Sequence, residues 1–339
     1  MAPTLSICIP IYNRVDCLKQ LLDSIVSQSF DHEALEICIS DNASEEDVKA
    51  VIKAYEPQLP LVVFHRFQEN VGFDRNCLKV VEMAHGDYCW LMGSDDLILE
   101  GAIDYVLKKI HAEGKDALAG ITVRARAYTS DLSESYPYDI TFSPPSHDQR
   151  LEGIDTIIGT LSTIFGLISV HIVNRKFWNE VIASHDIEPY CTGYIHVYMM
   201  GKLFQVHPQW LYVHQICVGH RMENDLAVLH NRFGRLQLDV INYDFVLTGL
   251  FGKNHPYYEM WLRDILKVHI RSGVIGVKLH GDVHDAVCAL KLTFTHYKHR
   301  PIFWYKFLPL LLTPKIILKG LRYVKKALEK GHVHEKVNG

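Results

Sequence analysis

The first 125 residues alternate short, continuous apolar runs with longer amphipathic stretches. Continuous runs rich in Ile, Val and Leu are typical of strands that are buried on both faces of a sheet. Helix-length stretches separate them, as parallel strands require. The pattern therefore predicts a parallel sheet covered on both faces, with strands at residues 5–10, 35–40, 61–67 and 87–92.

Two stretches between these strands have helical spacing. Residues 15–28 place Leu18, Leu21, Leu22 and Ile25 on one face, and residues 75–84 form a second predicted helix. Ser44, with Asp47 three residues later, resembles a helix N-terminus.

Polar residues follow each predicted strand. Ligands of open α/β sheets bind beyond the carboxyl ends of the strands, so these residues are candidates for a site. Taken singly, Asn13, Asp41 and Asn70 are better explained as turn or cap residues. Four polar strand ends on one edge favour a binding site. The candidates are Pro10, Tyr12, Asn13, Arg14, Asp41, Asn42, residues 70–76, Ser94, Asp95 and Asp96.

The second half has a less regular pattern. Residues 162–178 predict one or two strands leading into a helix, and residues 210–218 predict a further strand. Residues 226–250 and 257–273 have helical spacing, which indicates a small helical subdomain.

Composition sets limits on the function. The chain has 339 residues, 48% of them hydrophobic, and a formal net charge of -4, which argues against a protein that binds nucleic acid through its overall charge. The N-terminus lacks the basic and apolar regions of a secretion signal. Eight scattered cysteines without a CxxC pair favour reduced, buried thiols in a cytoplasmic protein.

Charge is concentrated at the C-terminus. From residue 291 onward, eleven Lys and Arg face two Glu, a local balance of +9. The aromatic run at 300–315 is too short to span a bilayer. Residues 316–330 have apolar and basic helical faces, which predicts an interfacial anchor on anionic lipid at the inner face of the cell membrane. The alternative is a helix packed on the protein's own surface or in an oligomer interface.

Four segments occur in order along the first third of the chain: CIPIYNR at 8–14, ISDNAS at 39–44, NVGFDRN at 70–76 and AHGDYCWLMGSDD at 84–96. Together they resemble the signature of family 2 glycosyltransferases with the GT-A fold. SDNAS and GSDD are similar to the bacterial abequosyltransferase-like subgroup, which builds O-antigen and related surface glycans.

The resemblance implies a Rossmann-like α/β fold with a mostly parallel sheet, flanking helices and a C-terminal helical extension. We expect a glycosyltransferase domain at 1–222, in which 1–125 bind the nucleotide sugar and 126–222 receive the acceptor. A helical subdomain at 223–299 and a basic amphipathic tail at 300–339 follow.

The resemblance also implies a metal site for Mn²⁺ or Mg²⁺. Asp96 matches the family acid that binds the metal, and Asp95 is expected to contact the ribose or a metal-bound water. Ser94 replaces the first acid of the family motif, so we expect weak metal retention until the donor diphosphate supplies further oxygens. His220 is a second metal candidate. The alternative is that Asp95 and Asp96 cap a helix beginning near Leu97.

The donor site is implied in the same way. Asp41 matches the family acid that binds the base, with Pro10 and Tyr12 as the wall behind it. Arg75 is expected to bind the diphosphate or to fix Asp41, and Arg14 either binds nucleotide or only starts a helix.

The catalytic base is the least clear feature. Many inverting family members open a helix near residues 190–204 with a Glu-Asp pair, which this chain lacks. His196 is the nearest side chain able to take a proton, and Asp186 and Glu188 lie upstream. His196 is as well explained as a packed helical residue.

We therefore expect a metal-dependent hexosyl- or deoxyhexosyl-transferase that uses a nucleoside diphosphate sugar and an oligosaccharide acceptor, lipid-linked at the membrane. Family membership implies inversion of configuration. Two alternatives remain: a sugar-nucleotide nucleotidyltransferase, which should carry a Gly-rich phosphate loop that CIPIYNR lacks, and a noncatalytic glycan-binding relative.

Overall fold

A computed structural model describes residues 3–139, 145–222, 224 and 231–321. Contacts divide the chain into two compact units. The first comprises Met1–Asn224 and Asp244–Leu262, and the second comprises Asp225–Tyr243 and Arg263–Gly339. The predicted boundaries at residues 222 and 299 remain a prediction.

The first unit begins with the predicted parallel sheet. Four strands lie in the order β3-β2-β1-β4, all parallel. Every residue of β1 and β2 is buried, as their continuous apolar runs predict. The elements are β1 Leu5–Ile11, α1 Val15–Val26, β2 Leu35–Asp41, α2 Val48–Tyr55, β3 Leu61–Arg66, α3 Phe73–Glu82 and β4 Tyr88–Leu91.

The sheet continues with mixed pairing. β9 is antiparallel to both β4 and β6, and the strand order runs on from β4 as β9-β6-β10-β5. The α/β class is confirmed. The elements are β5 Leu97–Ile98, α4 Ala102–Glu113, β6 Gly120–Tyr128, β7 Ser135–Asp139, β8 Gln149–Glu152, α5 Ile154–Leu161, β9 His171–Asn174, α6 Arg175–Ser184, α7 Ile195–Val206 and β10 Gln209–Arg221.

The pairing of β5 with β10 positions the candidate site. The two strands are antiparallel, and Gly219 lies opposite Leu97. This register brings the residues just after Gly219 beside those just before Leu97. Residues 97–98 are therefore strand, and the helix predicted to begin near Leu97 is wrong, since α4 begins at Ala102 after Gly101. Asp95 and Asp96 cap no helix there.

Close packing joins the start of β6 to the start of β10. A Cβ added at Gly120 would lie 2.4 Å from the ring of Trp210, so only glycine leaves room for this indole. Trp210 is fully buried and donates a hydrogen bond from Nε1 to Thr122 Oγ1. The strand that carries His220 at its end is thereby fixed against β6 at its beginning.

Two further predictions about the first unit need refinement. β3 is at the edge of the sheet and none of its residues is fully buried, although its apolar run resembles those of β1 and β2. Asp47 caps α2 by accepting from Ala50 N at 3.0 Å, whereas Ser44 is used elsewhere.

The remaining elements are helical. A long helix, α8, spans Arg232–Phe251 and is followed by α9 Pro256–Ile265, so both units contain part of this region. The second unit adds a π-helical turn Leu266–Ile270, α10 Arg271–His280, α11 Val283–Tyr297, a π-helical turn Phe303–Phe307, α12 Leu308–Leu312 and helical residues 315–321. The predicted tail residues 322–339 lie outside the described residues. Within the described part, no helix is long and apolar enough to cross a membrane.

Candidate functional site

Asp96 is the centre of a buried polar cluster at the strand ends. Its side chain is 3% exposed, and its carboxylate accepts hydrogen bonds from His220 Nδ1 at 2.9 Å and Arg221 N at 3.0 Å. The Ser169 hydroxyl donates to the other carboxylate oxygen. Ser169 Oγ also accepts from Gly93 N at 2.9 Å, which fixes the strand end that carries the acids. Asp96 and His220, both predicted metal ligands, are thus brought into contact.

Asp95 faces a different partner. Its Oδ2 accepts from Arg14 Nη1 at 2.6 Å and from Asn224 Nδ2 at 2.9 Å. Burial raises the pKa of Asp95, and the neighbouring charge of Asp96 raises it further, while Arg14 opposes both effects. The structure therefore joins two of the predicted nucleotide-sugar residues, Asp95 and Arg14, in one ion pair.

Arg221 stabilises the loop that carries Asp95 and Asp96. It donates from Nε to Asp95 O at 2.9 Å, from Nη1 to Ser130 O and from Nη2 to Gln20 Oε1. The side chain is buried, and these acceptors occupy its guanidinium group. Arg221 is therefore a positioning residue in this structure.

The turn after β1 is conformationally strained. Asn13 and Arg14 are consecutive non-glycine residues with positive φ, 56° and 63°. Such residues are uncommon and often occur at functional sites. Ser44 Oγ accepts from Asn13 N, and Asn13 Oδ1 accepts from Glu45 N. These contacts stabilise the turn in the conformation that orients Arg14. Tyr12, which precedes the turn, is exposed.

Asp41 ends β2 beside the end of β1. The register pairs Ile11 with Asp41, so Pro10 and Asp41 lie on adjacent strands. The Asp41 carboxylate is fully buried, accepts from Ser44 N at 2.9 Å and forms an ion pair with Arg66 Nη1 at 3.0 Å. A contact between Asp41 and the nucleotide base remains a prediction. This contact requires Arg66 to leave the Asp41 carboxylate or to bind it together with the base.

Three consecutive residues at the start of α3 contact the segment before and within α7. Phe73 lies edge-on to the His196 ring, with 5.7 Å between centroids. Asp74 accepts from Ile195 N at 3.2 Å and from Gly193 N, so this buried carboxylate caps the start of α7. Burial raises the pKa of Asp74, and the backbone hydrogen bonds oppose this shift.

Arg75 forms an ion pair with Glu188. Both side chains are exposed and border an open cleft of about 530 Å³ that also includes Arg66. Arg75 can therefore bind a ligand only if it leaves Glu188 or binds Glu188 and the ligand together. Its predicted contact with a diphosphate remains a prediction.

His196 is buried in the first turn of α7. Its Nε2 lies 3.3 Å from Gly166 O, and because a carbonyl only accepts, Nε2 carries the proton. The ring also contacts Phe73. The structure therefore supports its packing, and its catalytic role remains a prediction.

A second buried histidine lies on β9. His171 is fully buried, with Thr122 Oγ1 3.0 Å from Nδ1 and Ile164 O 3.1 Å from Nε2. Burial lowers the pKa of His171 from 6.5 to about 3, so the ring is neutral at physiological pH.

Asp96 and His220 are the two predicted metal ligands at this site. The Asp96 carboxylate and His220 Nδ1 lie 2.9 Å apart, and Nδ1 carries the proton of their hydrogen bond, so it would have to lose that proton to bind a metal ion. Among the described residues, no three or more His, Cys, Asp or Glu side chains are grouped closely enough to hold a metal ion by themselves. A metal site that takes its other ligands from a bound diphosphate remains a prediction.

Comparison with known proteins establishes the family. The profile described as Glycosyl transferase family 2 matches residues 6–176, slightly more than half of the chain. The chain belongs to glycosyl transferase family 2. The matched region contains the four segments that suggested this resemblance and both acids of the candidate site.

A curated relative supports the predicted subgroup. The glycosyltransferase is 29% identical over 263 residues to abequosyltransferase RfbV of Salmonella typhimurium, which covers 74% of this chain and 76% of that protein. The abequosyltransferase-like resemblance is confirmed.

Solved structures support the fold. The glycosyltransferase resembles S. aureus TarS 1–349 in complex with UDP-GlcNAc, with a TM-score of 0.63, 11% identity and coverage of 94% of this chain and 92% of that one. It also resembles the mannosyltransferase PcManGT from Pyrobaculum calidifontis in complex with GDP-Man and Mn²⁺, with a TM-score of 0.54, 12% identity and coverage of 92% and 86%. The GT-A fold is confirmed.

Three residues of the site could not be singled out from the sequence. Ser169 and Asn224 bind the two acids from distant segments, and Gln20 accepts from Arg221. Asp74, which caps α7, lies within the candidate segment 70–76, but its contact with α7 was not predicted. All these contacts join distant parts of the chain, which periodicity does not predict.

Proposed function

We propose that this glycosyltransferase moves a hexosyl or deoxyhexosyl group from a nucleoside diphosphate sugar to an oligosaccharide acceptor in bacterial surface polysaccharide biosynthesis of the O-antigen or capsule type. The observation that carries the proposal is the contact between Asp96 and His220, formed where β5 pairs with β10. The abequosyltransferase relative supports the class of donor sugar and the pathway.

We propose that the donor nucleotide binds along the ends of β1, β2 and β4. Tyr12 and Pro10 would contact the base, and Asp41 would accept a hydrogen bond from it. Arg14 and Asp95 would contact the ribose and diphosphate side. The ion pair between Arg14 and Asp95 supports this assignment, because a phosphate can replace one of the partners that the guanidinium now binds.

We propose that Asp96 and His220 hold Mn²⁺ or Mg²⁺ once the donor is bound. A divalent cation there supplies positive charge to the departing diphosphate. The buried hydrogen bonds from Ser169 and Arg221 hold the Asp96 carboxylate in a fixed orientation. An oriented carboxylate costs little reorganisation during the reaction.

In the proposed reaction the acceptor hydroxyl oxygen forms a bond to the anomeric carbon. The bond from that carbon to the diphosphate oxygen breaks, and its electron pair leaves with the diphosphate. His196 would take the hydroxyl proton, which requires its buried ring to become accessible to the acceptor. Arg75 would stabilise the leaving diphosphate after exchanging Glu188.

We also propose that the acceptor is lipid-linked and that the enzyme works in the cytoplasm at the inner face of the membrane. The concentration of Lys and Arg after residue 291 supports this proposal, because anionic lipid attracts such a segment.

The test compares Asp96→Asn with a matched control, Asp104→Asn. Asp104 is also an aspartate near the site in sequence, but it is half-exposed on α4 and pairs with Lys108. Donor hydrolysis and binding of UDP, CDP, GDP and dTDP are measured with and without Mn²⁺. We expect Asp96→Asn to lose roughly 10²–10³-fold in turnover and to lose the tightening of nucleotide binding by Mn²⁺.

The control should behave as wild type in all assays. If Asp96→Asn retains both turnover and the metal effect, the proposed role of Asp96 is wrong. Release of pyrophosphate from a nucleoside triphosphate and sugar phosphate would instead identify a nucleotidyltransferase. Absence of nucleotide binding in the wild type would favour a noncatalytic glycan-binding protein. His196→Gln should retain donor binding and lose transfer if His196 is the base.

A further inference from the structure

The second unit exposes an unusual concentration of large apolar side chains. Fifteen such side chains are exposed in the described residues, and nine of them lie between residues 283 and 321. Val283 and Ile316 are 81% and 79% exposed. Large exposed apolar surfaces mark interaction sites. We call the nine residues the C-terminal face: Val283, Val287, Phe294, Trp304, Tyr305, Leu312, Ile316, Ile317 and Leu321.

The centre of this face is a stripe along α11. Val283, Val287 and Phe294 are spaced by four and seven residues, which places them on one side of the helix. The buried side of α11 is formed by other positions, Ala289 and Thr293 among them. The stripe is therefore additional to the apolar surface that anchors α11 in the unit.

Contacts join both ends of the stripe to other parts of the face. At the C-terminal end, the rings of Phe294 and Trp304 are 6.5 Å apart, and Trp304 Nε1 donates to Lys298 O at 2.8 Å. At the N-terminal end, Lys315 Nζ lies 3.3 Å from Gly281 O, just before Val283. Ile316 and Ile317 directly follow that lysine. These contacts bring Trp304 beside one end of the stripe and residues 315–317 near the other.

The charge on this segment is mostly positive. Between residues 283 and 321 there are six Lys and Arg and one acid, Asp285. Lys298 Nζ lies 5.5 Å above the Phe294 ring, and Lys306 Nζ lies 5.9 Å from the Tyr305 ring. The cations therefore lie among the exposed aromatic rings.

We infer that the C-terminal face docks on an anionic lipid bilayer, with Trp304 and Tyr305 at the level of the headgroups. Aromatic side chains favour this interfacial zone, apolar side chains gain by leaving water, and Lys side chains are attracted to anionic headgroups. The inference adds a specific binding surface to the proposed function. It includes α11, which precedes the basic tail.

The charge pattern favours lipid over a second copy of the chain. In a two-fold dimer the same surface meets itself, so the lysines of one copy would face those of the other. A single acid in the segment cannot compensate for six cations. An anionic bilayer provides both the apolar layer and the opposite charge.

Trp304 provides a direct reporter. The other four tryptophans, Trp90, Trp178, Trp210 and Trp261, are fully buried, whereas Trp304 is 53% exposed. The full chain is mixed with vesicles of phosphatidylcholine alone or with phosphatidylglycerol, each with and without brominated acyl chains. We expect quenching of Trp304 by brominated lipid only in the anionic vesicles, and loss of binding as salt is raised.

Variants separate the apolar and charged contributions. The triple variant Val283→Ser, Ile316→Ser, Ile317→Ser keeps the reporter and should bind anionic vesicles about tenfold more weakly. The variant Lys298→Glu, Lys315→Glu, Lys319→Glu should lose at least as much. Leu61→Ser with Val206→Ser is the matched control, since both residues are exposed apolar residues of the first unit. It should bind as wild type.

Several results would overturn the inference. These are equal binding to neutral and anionic vesicles, unchanged binding in both face variants, or shielding of Trp304 by concentration-dependent self-association without lipid. A chain ending at residue 321 that binds no vesicles would assign the lipid contact to the later residues. Donor hydrolysis without vesicles should be the same in all variants, so failure here is distinguishable from failure of the proposed function.

Discussion

The strand-end site and the C-terminal face depart from the usual distribution of residues in opposite directions. Around Asp96, charged and polar side chains are buried. Between residues 283 and 321, aromatic and aliphatic side chains are exposed. The buried polar groups are tolerated because each one named here has a hydrogen-bonding partner. The exposed apolar side chains are tolerated because apolar side chains at the surface cost little free energy of folding.

The two regions should differ in how strongly a substitution changes the free energy of unfolding. A buried polar group that loses its partner retains its desolvation cost, so the site should be sensitive to single atoms. An exposed apolar side chain contributes little to folding, so the C-terminal face should tolerate substitution.

The largest expected effect is an acid-induced loss of stability at His171. Its pKa is about 3 in the folded protein and 6.5 when unperturbed, so folding favours the neutral ring. This contribution is complete above pH 6.5 and is lost as the pH falls towards 3. Between pH 7.5 and 4.5 we expect a loss of roughly 3 kcal/mol. Urea unfolding of wild type and His171→Gln at both values measures it, and the same pH dependence in both proteins would refute the assignment.

Ser169→Ala should remove the hydroxyl donor to the Asp96 carboxylate. We expect a loss of about 1.5–3 kcal/mol in the free energy of unfolding, because a hydrogen bond to a buried charge is removed. Ser184→Ala is the control, since that exposed hydroxyl bonds to nearby helix carbonyls in α6 and to the neighbouring His185 ring. Equal stability of the two variants would show that Asp96 does not depend on this donor.

Asp74→Asn should loosen the start of α7. The amide accepts from one backbone N–H but cannot replace the charge at the helix N-terminus, so we expect a loss of about 1–2 kcal/mol. Hydrogen exchange at residues 193–197 should accelerate more than exchange in α1. Uniform acceleration throughout the first unit would indicate general destabilisation instead of a local cap.

Glu188→Gln should affect ligand binding with no measurable change in stability. Arg75 and Glu188 are exposed, so their ion pair contributes little to folding. Releasing Arg75 should tighten donor binding by roughly two- to fivefold, whereas Arg75→Ala should weaken it. Titration of the preferred nucleoside diphosphate checks both. Weaker binding in Glu188→Gln would show that Glu188 supports the ligand directly.

The smallest expected effect lies on the C-terminal face. In lipid-free buffer, Ile316→Ser with Ile317→Ser should change the free energy of unfolding by no more than about 0.5 kcal/mol. Both side chains are exposed, so little apolar contact is lost. A loss above about 2 kcal/mol in urea unfolding would show that these residues pack in the native protein, which would remove them from the proposed lipid surface.

The sequence predicted the parts of the fold that depend on local pattern. Continuous apolar runs located β1, β2 and β4, and the order of polar strand ends located Asp95 and Asp96. The edge position of β3 was not predictable, because its run LVVFHR has the composition of a central strand. Edge or centre is decided by which strands pair, and pairing is a non-local property.

The partners of the site residues depend on the same non-local pairing. That His220 reaches Asp96 follows from the register of β10 with β5, a strand of two residues at the place where the alternative interpretation put the start of a helix. That Ser169 reaches Asp96 depends on the antiparallel insertion of β9 beside β4. The sequence therefore predicted the acids, Arg14 and His220, but not Ser169 or the contacts that join these residues.

The two left-handed residues after β1 have a final consequence. Arg14 places a cation at the N-terminus of α1, where the positive end of the helix dipole repels it, and the ion pair with Asp95 offsets this repulsion. Arg14 also has a left-handed backbone conformation that glycine would adopt more easily. The hydrogen bonds of Asn13 stabilise that conformation. A protein selected for stability alone would replace Arg14. We expect Arg14→Gly to relieve the strained turn and to weaken donor binding. At this turn, stability and activity therefore favour different residues.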